Sequence, residues 1–151
     1  MLALVLIFTS ASGNVATDSR IGTRAASFTI GNDSSVLTLN QLRGKWVLLT
    51  LWSSADAVAR LDNMRYSRIA RNNDKLVQVA VNFDRSRALF DEVVSADSLD
   101  LSSQYYCERQ DRKQFDQKWG TAEQFNTYLI DSRGVVVAVN PGDKELQAAI
   151  K

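Results

Sequence analysis

Apolar residues occur along this chain in short runs separated by polar turns, the pattern of a mixed α/β domain. Residues 46–52 and 76–83 are almost continuously apolar, which is typical of strands buried on both faces of a sheet. Shorter runs on either side of turn residues predict an N-terminal and a C-terminal hairpin. The predicted strands are residues 27–30, 36–39, 46–52, 76–83, 125–130 and 135–139.

Helical periodicity fills the intervals after the two long runs and the end of the chain. Asp56 is suited to cap the first helix, because a carboxylate there accepts backbone N–H bonds and complements the helix dipole. Asp84 is expected to cap the second helix, and a third runs from Asp111 to a stop at Gly120. The inward-facing residues are predicted to be Val58, Leu61, Met64 and Ile69, then Ala88, Leu89 and Val93, then Phe115 and Trp119, and, on a last helix after residues 141–143, Leu146, Ala149 and Ile150.

This order joins a βαβ unit to a ββα unit, with a right-handed crossover expected between the parallel strands. It predicts an α/β fold of three layers: a mixed central sheet flanked by helices, with an N-terminal β-hairpin extension. The polar segment at residues 95–110, which holds Cys107, is predicted to be irregular.

The first twenty residues differ in character from the rest of the chain. An apolar stretch at residues 2–8 precedes small residues at 9–13, as in a secretory signal, and it is too short to span a membrane. We expect residues 1–20 to be a signal-like or disordered segment and residues 21–151 to form one domain. An exported, periplasmic or envelope-associated protein is expected, and a cytoplasmic protein with a buried first strand is the alternative.

Composition excludes several classes of function. A formal net charge of +1, with basic residues scattered along the chain, argues against a nucleic-acid partner. The chain has no His, which removes the commonest general base and the commonest neutral metal ligand. Its single cysteine, Cys107, has no partner for an intramolecular disulfide or a cysteine-based metal cage. We expect a monomer with no metal and no cofactor.

Four stretches, in order over about residues 22–150, resemble bacterial exported thioredoxin-like thiol-disulfide oxidoreductases. The family's G-x-x-A-P-D-F opening, L-S-D-L-K-G-K turn, V-V-L-N-F-W-A-S strand and F-L-I-D-x-x-G-x-I hairpin are similar to residues 22–29, 39–45, 46–54 and 128–136. The resemblance implies a thioredoxin-like fold and, in active members, a W-C-x-x-C-R motif at the start of a helix.

The departures from the family pattern lie at the residues that carry the family's chemistry. Residues 55–60 read Ala-Asp-Ala-Val-Ala-Arg, so the resemblance places Asp56 at the nucleophilic cysteine and Ala59 at the resolving cysteine. A carboxylate does not attack a disulfide sulfur, and alanine has no thiol. Phe125 stands where the family carries a cis proline; a cis bond without proline costs about 3 kcal/mol, so we expect a trans bond and a remodelled groove.

Two residues keep alternative interpretations. Asp56 is interpreted first as a helix cap, since an acid or base role needs a partner and the chain has no His. Cys107 is either an inert, partly buried thiol or a reactive thiol in a mobile loop, with its pKa lowered by Arg109 and Arg112. The inert interpretation is favoured because no resolving thiol exists. An exposed indole near Asp56 would mark a binding groove.

The leading hypothesis is a redox-inactive thioredoxin-like domain that binds a protein or peptide at the former active-site groove. One alternative is a thiol-dependent oxidoreductase or weak peroxidase that acts through Cys107. A further alternative is a structural accessory module without a ligand. The candidate residues of the binding surface are Trp52, Ser54, Ala55, Asp56 and Phe125.

Overall fold

The structure is a computed structural model that describes residues 18–31 and 35–151. Most of the signal-like segment, residues 1–20, therefore lies outside the described residues. The same holds for the turn of the predicted N-terminal hairpin, residues 31–34. Among the described residues, none of the helices has the length and the apolar character that crossing a membrane requires. The elements are β1 (Thr29–Gly31), β2 (Val36–Thr38), β3 (Trp46–Trp52), α1 (Ala57–Arg71), β4 (Leu76–Asn82), α2 (Arg87–Ala96), β5 (Gln104–Tyr106), α3 (Arg112–Trp119), β6 (Thr127–Ile130), β7 (Val136–Val139) and α4 (Asp143–Ala149).

A mixed sheet forms the centre of the domain, with strand order β5-β4-β3-β6-β7. β3 is parallel to β4, with Trp52 opposite Asn82, and antiparallel to β6, with Val47 opposite Ile130. β1 and β2 form a separate antiparallel hairpin. The predicted three-layer fold with an N-terminal hairpin is confirmed. The segment at 95–110 is not irregular throughout, because β5 adds a parallel edge strand to β4.

The side chains of β3 alternate between the two helical layers, as the pleat of a strand requires. Val47, Leu49 and Leu51 point into the core cluster that contains Phe115 and Trp119 of α3. On the other face, the clusters contain Leu48 with residues of α1 and α4, and Trp52 with residues of α1 and α2. This burial on both faces explains why β3 reads as a continuous apolar run.

The predicted inner face of α1 is correct in part: Ile69 packs against the core and Met64 is half-buried, but Val58 and Leu61 do not face inward. Val58 and Leu61 are 71% and 64% exposed, whereas the helix buries Asn63 and Tyr66. The reason is that the polar side chains of Gln78 and Gln104 lie beneath the middle of α1, so Asn63 faces inward beside Tyr66. Asn63 accepts a 2.9 Å hydrogen bond from the Gln78 amide and donates one of 3.0 Å to Gln104.

The start of α2 also differs from the prediction. Ser86, not Asp84, caps this helix, and its Oγ accepts a hydrogen bond from the backbone amide of Leu89. The helix therefore begins later and turns a different face inward: Leu89 and Ala88 are exposed, and the buried side chains are Phe90, Val93 and Val94.

The third and fourth helices follow the sequence pattern. Phe115 and Trp119 are buried on α3, which ends at Gly120 with a φ of 70°, the left-handed conformation that glycine adopts without strain. Leu146 is buried on α4 and Ile150 just after it, while Ala149 is half-buried.

Candidate functional site

The position at which the family resemblance places an active site lies at the carboxyl end of β3, where residues 53–56 lead into α1. The predicted cap is confirmed: the side chain of Asp56 accepts a hydrogen bond of 3.0 Å from the backbone amide of Ala59. Asp56 is half-buried, and Ala59 is buried beneath the helix start. The carboxylate thus occupies the positive end of α1, where the family resemblance places a thiolate.

A buried carboxylate, Asp84, holds the loop before α1 in place. Its Oδ1 accepts hydrogen bonds from the Ser53 hydroxyl at 2.7 Å, the Ser54 amide at 2.8 Å and the Ser54 hydroxyl at 2.9 Å. Its Oδ2 accepts one from the Asn82 side chain at 3.0 Å. Bonds to an ionised acceptor are the strong class, so Asp84 fixes the direction in which the chain enters α1. The sequence placed Asp84 at a helix cap and missed this role.

A bidentate ion pair fixes α1 against the end of α2. Arg60 donates from Nε and Nη2 to the two carboxylate oxygens of Asp97, at 2.8 Å and 2.7 Å. The hydrogen bonds that Arg60 donates to Asp97 are the main cause that raises the pKa of Arg60. The resemblance places Arg60 at the arginine of the family's W-C-x-x-C-R motif.

Two of the five candidate surface residues, Trp52 and Phe125, are aromatic, and each packs against another aromatic ring. Trp52 is fully buried and packs against Phe90, with ring centroids 6.4 Å apart, so its assignment to the binding surface is wrong. β3 carries Trp52 on the face covered by α1 and α2. Phe125 is half-buried and stacks on Phe83, with ring centroids 5.4 Å apart. It stands at the position where the resemblance places the family's proline. The described part of the chain has no cis peptide bond, as expected at Phe125.

The accessible part of the site is small and apolar. Ser54 is half-buried, Ala55 and Ala57 are exposed, and the largest exposed side chains are Val58 and Leu61 on the first turns of α1. Residues three apart on a helix are neighbours, so Val58 and Leu61 form one patch next to Asp56. This patch could not be recognised from the sequence, because an apolar i, i+3 pair has the same pattern as a core face.

Cys107 is a buried residue that directly follows β5, at the same end of the sheet as the loop before α1. Its backbone amide donates to the carbonyl of Asn82, and its side chain is 0% exposed within the core cluster of α3. Burial raises the pKa of the Cys107 thiol to about 12, and the nearby charge of Arg112 opposes this only in part. The structure therefore does not contain the mobile, activated thiol that the alternative hypothesis requires. β5 lies two strands from β3, about 10 Å away, so Cys107 and Asp56 do not share a site.

Two cavities among the described residues have linings that include neither Asp56 nor Phe125. One lies under the N-terminal segment and the end of β6, and the other between α1 and the segment before β5. The described residues contain no group of three acidic or thiol side chains placed to hold a metal ion.

Comparison with known proteins supports the fold. No protein-family model and no curated protein matches the chain. A thioredoxin-like protein from Parabacteroides distasonis is 27% identical over 71% of this chain and 80% of its own, with a TM-score of 0.65. The thioredoxin domain of a thiol-disulfide oxidoreductase from Bacteroides vulgatus is 19% identical over 87% of this chain and 98% of its own, with a TM-score of 0.72.

A thiol:disulfide interchange protein from a Bacteroides species adds a third match, at 18% identity over 86% of this chain and 87% of its own, with a TM-score of 0.70. The predicted resemblance is confirmed: the chain is thioredoxin-like, and its structural neighbours are thiol-disulfide oxidoreductases. Its own sequence lacks the C-x-x-C pair, since Cys107 is the only cysteine.

Proposed function

We propose that this protein is a thioredoxin-fold binding module without thiol-disulfide chemistry, and that it docks a protein or peptide through the exposed start of α1. The observation that carries the proposal is the exposed pair Val58 and Leu61, beside the position where relatives of this fold present their reactive group. The pair takes the place of the groove that the sequence analysis had assigned to binding.

The residues of the site support the loss of redox chemistry. Dithiol exchange needs a thiolate nucleophile and a second thiol that resolves the mixed disulfide. Asp56 and Ala59 supply neither, and no other cysteine is within reach of them. The buried Cys107, with its pKa raised to about 12, offers almost no thiolate at neutral pH. This argues equally against a peroxidase that uses Cys107.

The exposed patch supports binding. Burying a valine or a leucine stabilises a complex by roughly 1.5–3 kcal/mol per side chain, and here both side chains are left in solvent on a rigid helix. Asp84 and the Arg60–Asp97 pair hold that helix start, so docking costs little reordering of this surface. The partner we propose is an apolar segment with an N–H or cationic donor for the Asp56 carboxylate.

Selection from a random peptide library tests the binding function. Peptides enriched on the native protein should be lost on a double variant, Val58→Asp with Leu61→Asp. They should be kept on Val36→Asp, because Val36 is 64% exposed on the N-terminal hairpin, away from α1. Equal enrichment on all three proteins, or none on the native protein, overturns the proposal, and the second outcome favours a structural accessory module.

Insulin reduction tests the loss of redox chemistry. With dithiothreitol as the reductant, the purified protein should not accelerate insulin precipitation above the rate with dithiothreitol alone. Acceleration that disappears in Cys107→Ala would instead establish the thiol-dependent enzyme.

An exported location belongs to the same proposal and is supported only by the residue pattern of the N-terminal segment. Fusion of residues 1–20 to a reporter enzyme that is active only after export tests it. An inactive fusion favours the cytoplasmic alternative.

A further inference from the structure

A cavity of about 290 Å³ lies at the end of the sheet opposite to α1's start. It borders the first residues of β3 and the end of β6, and the seven residues of β3 separate it by about 20 Å from the loop before α1. Its floor includes three buried apolar side chains: Leu39, Val47 and Ile130. It is therefore a second concave surface, independent of the Val58 and Leu61 patch.

The rim of this cavity is cationic. Arg24, Arg43 and Lys45 line it, and all three are exposed. Among the described residues, none of them forms an ion pair; the guanidinium of Arg43 donates only to the carbonyl of Arg133, at 3.3 Å.

Among the described residues that line the cavity, Asp131 is the one carboxylate, and it does not neutralise the rim. Its Oδ1 accepts the backbone amides of Arg133 at 2.9 Å and Val135 at 3.0 Å. Its Oδ2 accepts both Nε and Nη2 of Arg133, at 3.1 Å and 2.8 Å. Asp131 is buried and both of its oxygens are engaged in the hairpin turn, so the positive charge of the rim is left for a ligand.

Arg43 is the best-positioned group of the rim. Its guanidinium lies over Gly134, where a β-carbon would stand 3.4 Å from it, and Gly134 has a φ of +84° that other residues rarely adopt. The turn thus leaves room for a flat guanidinium, and that planar fork matches the oxygens of phosphate and carboxylate groups.

We propose that this cavity binds a small organic phosphate monoester, with its phosphate on Arg24, Arg43 and Lys45 and a compact apolar part on the floor. Three cations without carboxylate partners suit a doubly charged group better than a monoanion. The volume lies just below the range of about 300–1,000 Å³ that drug-sized ligands use, so the apolar part is limited to about one ring.

Titration of the full chain by NMR, followed through backbone amide signals, tests the site with phenyl phosphate, inorganic phosphate and phenol as probes. Phenyl phosphate should shift the amides of Lys45 and Gly134 saturably, with a Kd below about 1 mM that rises with ionic strength. Inorganic phosphate and phenol should each bind more weakly, because each makes only half of the contacts.

A double variant, Arg43→Gln with Lys45→Gln, should weaken phenyl phosphate binding by at least about tenfold. Arg68→Gln with Lys144→Gln removes two exposed charges away from the cavity and should leave binding unchanged. Shifts that do not saturate, shifts spread over the whole surface, or equal weakening in both double variants overturn the proposal. Binding of inorganic phosphate as tight as that of phenyl phosphate overturns the assigned apolar half.

Discussion

The backbone amide of Ala59 donates a hydrogen bond of 3.0 Å to the carboxylate of Asp56. The family resemblance places the two cysteines at these positions, so a helix cap now joins the residues that a disulfide joins in the active motif. The positive end of α1 stabilises a carboxylate as it stabilises a thiolate. The helix start therefore carries a carboxylate at the position of the motif's thiolate, and the C-x-x-C pair is absent.

Removal of this cap should destabilise the domain. In Asp56→Ala the amide of Ala59 loses its acceptor, and the free energy of unfolding should fall by about 1 kcal/mol, as for other helix caps. Urea denaturation followed by circular dichroism measures the change. Asp56→Ser keeps a capping oxygen and serves as the control; an equal loss in both variants would show that the cap contributes little.

Restoring both cysteines should restore a disulfide. In the double variant Asp56→Cys with Ala59→Cys, the two thiols are three residues apart at a helix start, where residues at this spacing are neighbours. After oxidation, a thiol titration in denaturant should count only Cys107, and after reduction it should count three thiols. The single variant Asp56→Cys is the control. Three free thiols after oxidation would mean that this helix start no longer permits the bond.

Loss of Asp84 should be more costly than loss of Asp56. Asp84→Ala leaves the buried Ser53 and Asn82 without an acceptor, and unpaired buried donors predict a loss of about 3 kcal/mol in the free energy of unfolding. Thermal and urea denaturation measure the loss. Asp84→Asn keeps the shape and one acceptor, so it should lose less. A change below that of Asp56→Ala would contradict the anchoring role.

Cys107 should resist modification in the folded protein. Since burial raises the pKa of its thiol to about 12, iodoacetamide at neutral pH should label it far more slowly than it labels free cysteine. Mass spectrometry over time measures the labelling. The same protein in urea is the control and should react at the rate of an ordinary thiol. Rapid labelling of the native protein would instead show an accessible, activated thiol.

The two long strands and the starts of α1 and α3 were predictable from sequence because they depend on local chemistry. β3 and β4 stand out as apolar runs, Asp56 has the side chain of a cap, and Gly120 has the conformational freedom of a helix stop. The resemblance added the relation between these elements and indicated which positions correspond to the family's two cysteines.

Contacts between distant residues account for what the sequence did not predict. Asp84 follows a strand and precedes a helix, which is the pattern of a cap, but its carboxylate is drawn to Ser53 and Ser54 in another loop. β5 is too short to show a periodicity and exists only because β4 offers it an edge. The exposure of the Val58 patch likewise depends on which residues the sheet places beneath α1.

On α1 the polar Asn63 is buried and the apolar Val58 is exposed, which yields a last prediction. Substitutions at these two positions should have effects opposite to those expected for an ordinary amphipathic helix. Asn63→Ala should lower the free energy of unfolding by about 3 kcal/mol, because the buried amides of Gln78 and Gln104 each lose a partner. Val58→Ser should change it by less than about 0.5 kcal/mol, as expected at an exposed position. Urea denaturation of both variants under the same conditions compares them. A larger loss for Val58→Ser than for Asn63→Ala would mean that the apolar face of α1 is buried after all, and the proposed binding patch would fall with it.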